Sequence, residues 1–460
     1  MAEENTVKMA AGPPEKASAA EQRPADGQRA MSMWSVAALG IGSMVGAGVF
    51  ALLGQVALLV RAQTFTAFAI AGVVALFSGY SYARLAARYP GPGGIIDYFR
   101  IGLGSPLVGR SLSTLYLVTL ALTVAMVAKS FGAYAARLLH DPPTHLQRVD
   151  LYATVVVIAL AVLNAIGSRA VGRVELALVL IKLGILGVLI AVGASTLKPS
   201  MLHVDHVADP TTLMSAVGLA FFAYAGYGMM ANAAGDVAFP RRDMPRAFAL
   251  AILTVLVLYV VLALVVLGNV TPETLARYAD TAVAEAAAPI LGHAGFVLVS
   301  VAALLATASA INATLYALSN IALGMGKHGS LPAAFSRSIA GAVTPGYAAL
   351  LGAILVLTNF LNLGVIAAAA SATFLVCYLA VFVAAFRLRH ETEASGLALV
   401  VGFLLMAVVL VAFVQGMVAQ RQWTALLILG AAAAVSFAVA GSAGSRIAAI
   451  AETERSTPGV

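Results

Sequence analysis

The sequence predicts an all-α membrane protein of twelve transmembrane helices, and three observations carry that prediction. Hydrophobic residues make up 61% and charged residues 10% of the 460-residue chain, whereas an ordinary soluble domain carries roughly a quarter charged residues. The apolar residues come in runs of about 20 or more, the length a helix needs to cross a hydrocarbon core of about 30 Å. Arginine and lysine gather in short loops on alternate sides of those runs, the asymmetry of a polytopic protein. With a mean hydropathy of +0.95, a water-soluble fold could not cover itself with polar surface.

Met1 to Ala30 is rich in Ala, Glu, Gln, Pro and Lys and has no apolar core. It reads as a disordered cytoplasmic tail rather than a cleavable signal peptide. Twelve spans then begin near Met33, Thr64, Leu107, Leu151, Val174, Thr212, Met244, Pro289, Pro345, Leu363, Leu397 and Trp423. The third and eighth are longer than a bilayer requires, which implies tilt or extension beyond it. Arg84, Arg88, Arg100, Arg110, Arg169, Arg173, Arg241, Arg242, Arg246, Lys327, Arg337, Arg387 and Arg389 fall on one side. That side is the cytoplasmic one, with both termini inside and the chain in the cell's inner (cytoplasmic) membrane. The opposite loops hold Asp141, Asp150, Asp205, Asp209, Glu273, Asp280 and Glu285. The net charge of +7 is thus a loop property, and a nucleic-acid partner is not expected.

Two spans carry glycine clusters that a plain anchor would not need. The first contains Gly40, Gly42, Gly46 and Gly48; the sixth contains Gly226 and Gly228 after Phe221-Phe222-Ala223-Tyr224-Ala225. Glycine costs roughly 1 kcal/mol against alanine in a helix interior, so such clusters permit an unwound segment. Unwound backbone in hydrocarbon is tolerated only where it lines a cavity. Paired interrupted helices at corresponding places in two halves point to a midplane solute site. The alternative is close helix packing through small residues such as Gly42 and Gly46.

Lys182 stands in the middle of the fifth span with apolar residues for two turns on each side. A lysine there costs several kcal/mol unless it is neutral, hydrated or paired, and it is a candidate proton-coupling group; the competing role is a structural cation. Lys129, in the outer half of the third span, is expected to snorkel to the outer interface. Cys377 excludes an intramolecular disulfide framework. The seven histidines lie in or near loops without metal-ligand spacing, His203 and His206 coming nearest. No P-loop or nucleophile elbow is present, so no enzyme chemistry, cofactor or metal is expected.

Four motifs in order resemble the amino acid-polyamine-organocation transporter superfamily. Gly42-Ser43-Met44-Val45-Gly46-Ala47-Gly48-Val49-Phe50 is similar to its first-helix pattern, and Tyr89-Pro90-Gly91-Pro92-Gly93-Gly94 to the loop after its second helix. Asp236 to Ala247 resembles the segment after its sixth helix, and Gly326-Lys327-His328-Gly329-Ser330-Leu331-Pro332 with Thr344-Pro345 the segment after its eighth. The resemblance implies the leucine-transporter fold, with helices 1 to 5 and 6 to 10 as inverted repeats and helices 1 and 6 discontinuous. Residues 31–390 then form a ten-helix transport core, 391–445 two peripheral helices and 446–460 a cytoplasmic C-terminal tail.

The resemblance also implies a site. The backbone amides of Gly46, Ala47 and Gly48 would hold a substrate carboxylate at a half-helix N-terminus. Carbonyls of Met44, Phe222 and Ala225 would take its ammonium group, with Phe222 as an aromatic gate beside Gly226. Lys182 would occupy the place of a sodium ion, contacting the carbonyl near Gly42 or Ser43 and the hydroxyl of Ser309, with Thr307 second. Proton coupling then ranks above sodium coupling. Gly228 stands where many relatives have a glutamate, which disfavours cationic substrates, and Ser319-Asn320 replaces a usual Ser-Arg. Small residues at Ala47, Ala223 and Ala225 favour small or medium neutral amino acids. The function implied is proton-coupled amino acid uptake, with exchange as the alternative and a non-transporting sensor or channel as the remote one. Expected partners are the amino acid and the bilayer, with a small accessory subunit or none.

Overall fold

The computed structural model describes residues 31–140, 146–166, 171–202, 208–339 and 343–456. The N-terminal tail, Asp141, His145, Arg169, His203, Asp205 and His206 lie outside the described residues, as does the side chain of Ala47. Among the described residues the regular structure is helical, with one isolated bridge between Met31 and Val237.

Several helices begin at a side-chain cap. Ser32 caps α1 (Met33–Val60) by accepting from the Ser35 N–H, and a short turn at Arg61–Gln63 leads into α2 (Thr64–Arg88). The Tyr89 to Gly94 motif then closes against α3 (Ile95–Gly102). Gly94 sits at φ 51°, and a side chain there would collide with the Asn232 carboxamide. Pro106 opens α4 (Pro106–Leu138), whose 33 residues span about 50 Å at 1.5 Å per residue. α5 (Leu146–Ile166) and α6 (Val171–Ser195) follow.

Asp209 caps α7 (Pro210–Tyr224) by accepting from Thr212, whose hydroxyl and backbone N–H hold the carboxyl below its ordinary range. α7 gives way at Ala225–Tyr227 to a 3-10 turn and then to the short α8 (Gly228–Asn232). α9 (Pro240–Leu267) and α10 (Pro272–Arg277) precede α11 (Ala282–Lys327), which kinks at Gly292, φ 70° and ψ −167°. Thr344 and Asn362 cap α12 (Pro345–Phe360) and α13 (Leu363–Arg387). α14 (Arg389–Thr392), α15 (Gly396–Ala419) and α16 (Trp423–Ser456) complete the chain. α16 is helical to Ser456.

Ten apolar helical stretches are long enough to cross a membrane among the described residues, with two shorter ones at Met33–Gly46 and Pro345–Phe360. α4, α7 and α13 are largely enclosed, whereas α5, α6, α15 and α16 turn most of their side chains outward. α1 packs on α7 and α9, α2 on α9, and α4 on α11 and α13, so α1 and the α7–α8 break meet in the interior.

One expectation is corrected. The break predicted in the first span is not formed here: α1 is helical throughout, glycine cluster included. A cost near 1 kcal/mol per glycine is small enough for close packing to hold the helix together.

Candidate functional site

The two glycine clusters face each other. A methyl group on Gly48 would lie 2.5 Å from the Ala223 Cα, and one on Gly226 would lie 2.7 Å from the Ser43 carbonyl carbon. Only glycine lets α1 and the α7–α8 break approach this closely. Gly46 abuts Ala310 of α11, where an added Cβ would lie 3.3 Å from the alanine Cβ. The small-residue packing weighed from the sequence is therefore real for the first cluster, while at the second the α-helix tightens into a 3-10 turn whose flanking residues keep helical backbone angles.

Beside this seam lies a cavity of about 100 Å³. Gly42, Ser43, Met44 and Gly48 line it from α1, and Phe222, Ala223, Ala225 and Gly226 from α7 and the turn beyond. Ser309 lines it from α11. The structure thus gathers Gly42, Met44, Gly48, Phe222, Ala223, Ala225, Gly226 and Ser309 around one space; Gly46 faces α11 instead. The amides of Gly46, Ala47 and Gly48 lie inside α1, where a helix directs each N–H to the carbonyl four residues earlier. They are not open donors in this conformation, which corrects the expected carboxylate cradle for this state.

The carbonyls at the seam are each met by a donor. Lys182 of α6 is 3% exposed, and its Nζ donates to the Gly42 carbonyl at 2.8 Å. Gly42 makes this reach possible, because Val179, one turn earlier on α6, fills the space a Cβ there would need. The Tyr259 hydroxyl of α9 donates to the Met44 carbonyl at 2.7 Å, and the Tyr378 hydroxyl of α13 to the Ala225 carbonyl at 2.5 Å. The Phe222 carbonyl accepts the Ala225 N–H at the turn. Thr307 is turned away, its hydroxyl donating to the Ala303 carbonyl of its own helix at 2.7 Å.

Phe222 is buried and edge-on to Phe374, ring centroids 5.3 Å apart. Phe374 continues the aromatic wall to Tyr116 and Tyr378. Tyr116 and Thr123 of α4, Ala313 and Thr314 of α11, and Phe374 of α13 also line it. Nothing in one sequence marks these wall residues, since aromatics and alanines recur throughout apolar helices. Tyr259 and Tyr378 did carry a readable cue: a phenol inside an apolar run needs a hydrogen-bond partner.

The two ends of the molecule differ. At the arginine-rich end a second cavity, about 850 Å³, opens between α3, α4 and the end of α11. Arg110, Asn320 and His328 line it, together with an Asp97–Arg100 pair at 3.0 Å. At the opposite end three partly buried polar contacts tie helices and turns together. Arg137 forks onto Glu285 at 2.6 and 3.2 Å, with its guanidinium 4.5 Å from the Tyr278 ring centre, and Gln55 donates to Asp280 at 2.6 Å. Lys129, expected to snorkel to the outer interface, is buried and ion-paired with Asp150 near the start of α5. Among the described residues no group of three or more His, Cys, Asp or Glu is placed to hold a metal ion, and Cys377 is core packing.

A small cavity beside a tightened helical turn inside an apolar helical bundle, with a separate, wider cavity toward one end, suits a membrane transporter. Comparison with known proteins agrees. Residues 31–450 match the family model described as Amino acid permease, and the chain belongs to that family. It is 49% identical over 405 residues, 88% of this chain and 94% of the relative, to the inner membrane transport protein YbaT of Escherichia coli (strain K12). The methylthioribose transporter of Bacillus subtilis (strain 168) is 25% identical over 79% of this chain and 82% of its own. The branched-chain amino acid permease BcaP of the same organism is 24% identical over 67% and 70%. The chain is a multi-pass membrane transport protein and not an enzyme.

Proposed function

We propose that this permease is a secondary active symporter that moves small or medium neutral amino acids into the cell together with protons. The observation that carries the reading is the buried Lys182 amine on the Gly42 carbonyl, 2.8 Å away at the edge of the solute cavity. A protonated amine at that carbonyl excludes sodium by charge repulsion, and its loss of a proton would weaken the hold of α6 on α1, since a neutral amine still donates but without charge assistance. The cavity's volume of about 100 Å³ is well below the ~300–1,000 Å³ of pockets for drug-sized ligands. Its walls are mostly apolar with a few hydroxyls and carbonyls, which suits an amino acid with a short uncharged side chain. The relatives' names cover both a branched-chain amino acid and methylthioribose, so the substrate assignment rests on the cavity.

In this reading twelve spans form two inverted five-helix repeats, with α15 and α16 peripheral and both termini cytoplasmic. The 850 Å³ cavity is then the cytoplasmic vestibule, and the Arg137–Glu285 contact seals the outer side. Substrate entry would require α1 to open at Gly46 to Gly48, freeing those amides for the carboxylate and releasing the Met44 carbonyl from the Gly48 N–H, so that it takes the ammonium group with the Ala225 carbonyl beside it. Phe222 closes over the bound molecule.

The test is uptake of a panel of labelled amino acids into empty proteoliposomes, with and without an inward proton gradient. Gradient-driven accumulation is expected in the wild type and a loss of about tenfold or more in Lys182→Ala, the scale of one buried charge-assisted hydrogen bond. Flux confined to substrate-preloaded vesicles would instead identify an exchanger.

A further inference from the structure

Tyr259 is wholly buried, and its hydroxyl oxygen lies 2.7 Å from the Met44 carbonyl of α1 and 3.3 Å from the Ala223 carbonyl of α7. Both carbonyls belong to residues that line the solute cavity, and each sits in one of the two facing glycine-rich segments. A tyrosine hydroxyl has one proton, so it serves one carbonyl fully at a time; the distances give it to Met44 here. The ring itself packs edge-on to Phe68 at 5.7 Å and tilted on Tyr224 at 5.1 Å. A phenylalanine would make those contacts equally well. Burying the extra hydroxyl is costly unless it is bonded, and what it bonds is the backbone of two helices that otherwise meet through a glycine seam without directional contacts.

We propose that Tyr259 is a positioning residue of the substrate site. Its O–H orients the Met44 carbonyl and, by rotating about the Cζ–O bond, passes its hydrogen bond to Ala223 when a substrate ammonium group engages Met44. Occupancy at α1 is thereby felt at the α7–α8 break with no change in the charge of the tyrosine. This inference rests on the reading of the cavity as an amino acid site.

The experiment compares wild type, Tyr259→Phe and Tyr224→Phe in proteoliposome uptake, with thermal melting as the control on folding. Tyr224 is the control because its hydroxyl donates to the Phe68 carbonyl at 2.9 Å, away from the cavity lining. Tyr259→Phe is expected to raise KM about tenfold with Vmax within twofold, and to narrow the discrimination between an amino acid and its N-methylated analogue. Tyr224→Phe is expected to lower the melting temperature with KM unchanged. An unaltered KM in Tyr259→Phe, or an equal rise in both variants, overturns the positioning role. A wild type that transports no member of the amino acid panel overturns the reading beneath it instead.

Discussion

The glycine clusters of the first and sixth spans look alike in sequence and behave differently in the fold. α1 keeps its helix through Gly42, Gly46 and Gly48, while α7 stops at Tyr224 and the chain turns at Ala225–Tyr227 before resuming as α8. The difference lies in what surrounds each segment. α1 is braced on several sides: Lys182 holds the Gly42 carbonyl, Tyr259 holds the Met44 carbonyl, and Gly46 and Gly48 bring in α11 and Ala223. At the α7 break the Tyr378 hydroxyl satisfies the Ala225 carbonyl and the backbone closes into a tighter turn. Glycine permits both outcomes, and a side-chain donor meets a backbone carbonyl in each.

Substitutions at the glycines sharpen that contrast. The largest effect is expected at Gly48 and Gly226, where an alanine methyl would meet backbone atoms at 2.5 and 2.7 Å. Backbone cannot step aside, so each alanine variant should lose about 1–3 kcal/mol or more, read as a drop in melting temperature in detergent. A variant melting like the wild type would mean that the two segments do not touch. Gly46→Ala is a middle case. Its methyl would lie 3.3 Å from the Ala310 Cβ, a small strain offset by the roughly 1 kcal/mol that alanine adds to a helix. Melting should change little, yet transport should slow if α1 must open during the cycle; an unchanged rate would show that the helix stays closed. The smallest effect belongs to Gly184, which faces open space on α6. Gly184→Ala should stabilise by up to about 1 kcal/mol with uptake intact, and destabilisation there would point to an unseen partner on that face.

Much of this was legible before any coordinates. Spans expected near Met33, Pro345 and Leu363 start at those residues because Ser32, Thr344 and Asn362 are local capping signals. Lys182 stood out because a lysine amid apolar residues is expensive, and its acceptor near Gly42 followed from family resemblance. Lys129 was read as snorkelling because its partner, Asp150, sits on another helix, and an ion pair between helices leaves no trace in local pattern. The cavity walls at Tyr116, Thr314 and Phe374 were likewise invisible, since residues distant in sequence are brought together by packing alone.

By itself, then, the sequence determined that the chain lives in a bilayer as a helical bundle, where its capped helices begin, and that one lysine must be held by something inside. Those are properties of hydrophobicity, capping and desolvation, each acting within a turn or two. Tertiary structure decided which glycine segment stays helical, which carbonyls Lys182, Tyr259 and Tyr378 satisfy, and which end of the molecule opens. These depend on donors and steric contacts supplied by other helices, and a buried carbonyl in hydrocarbon takes whatever donor the packing places within reach.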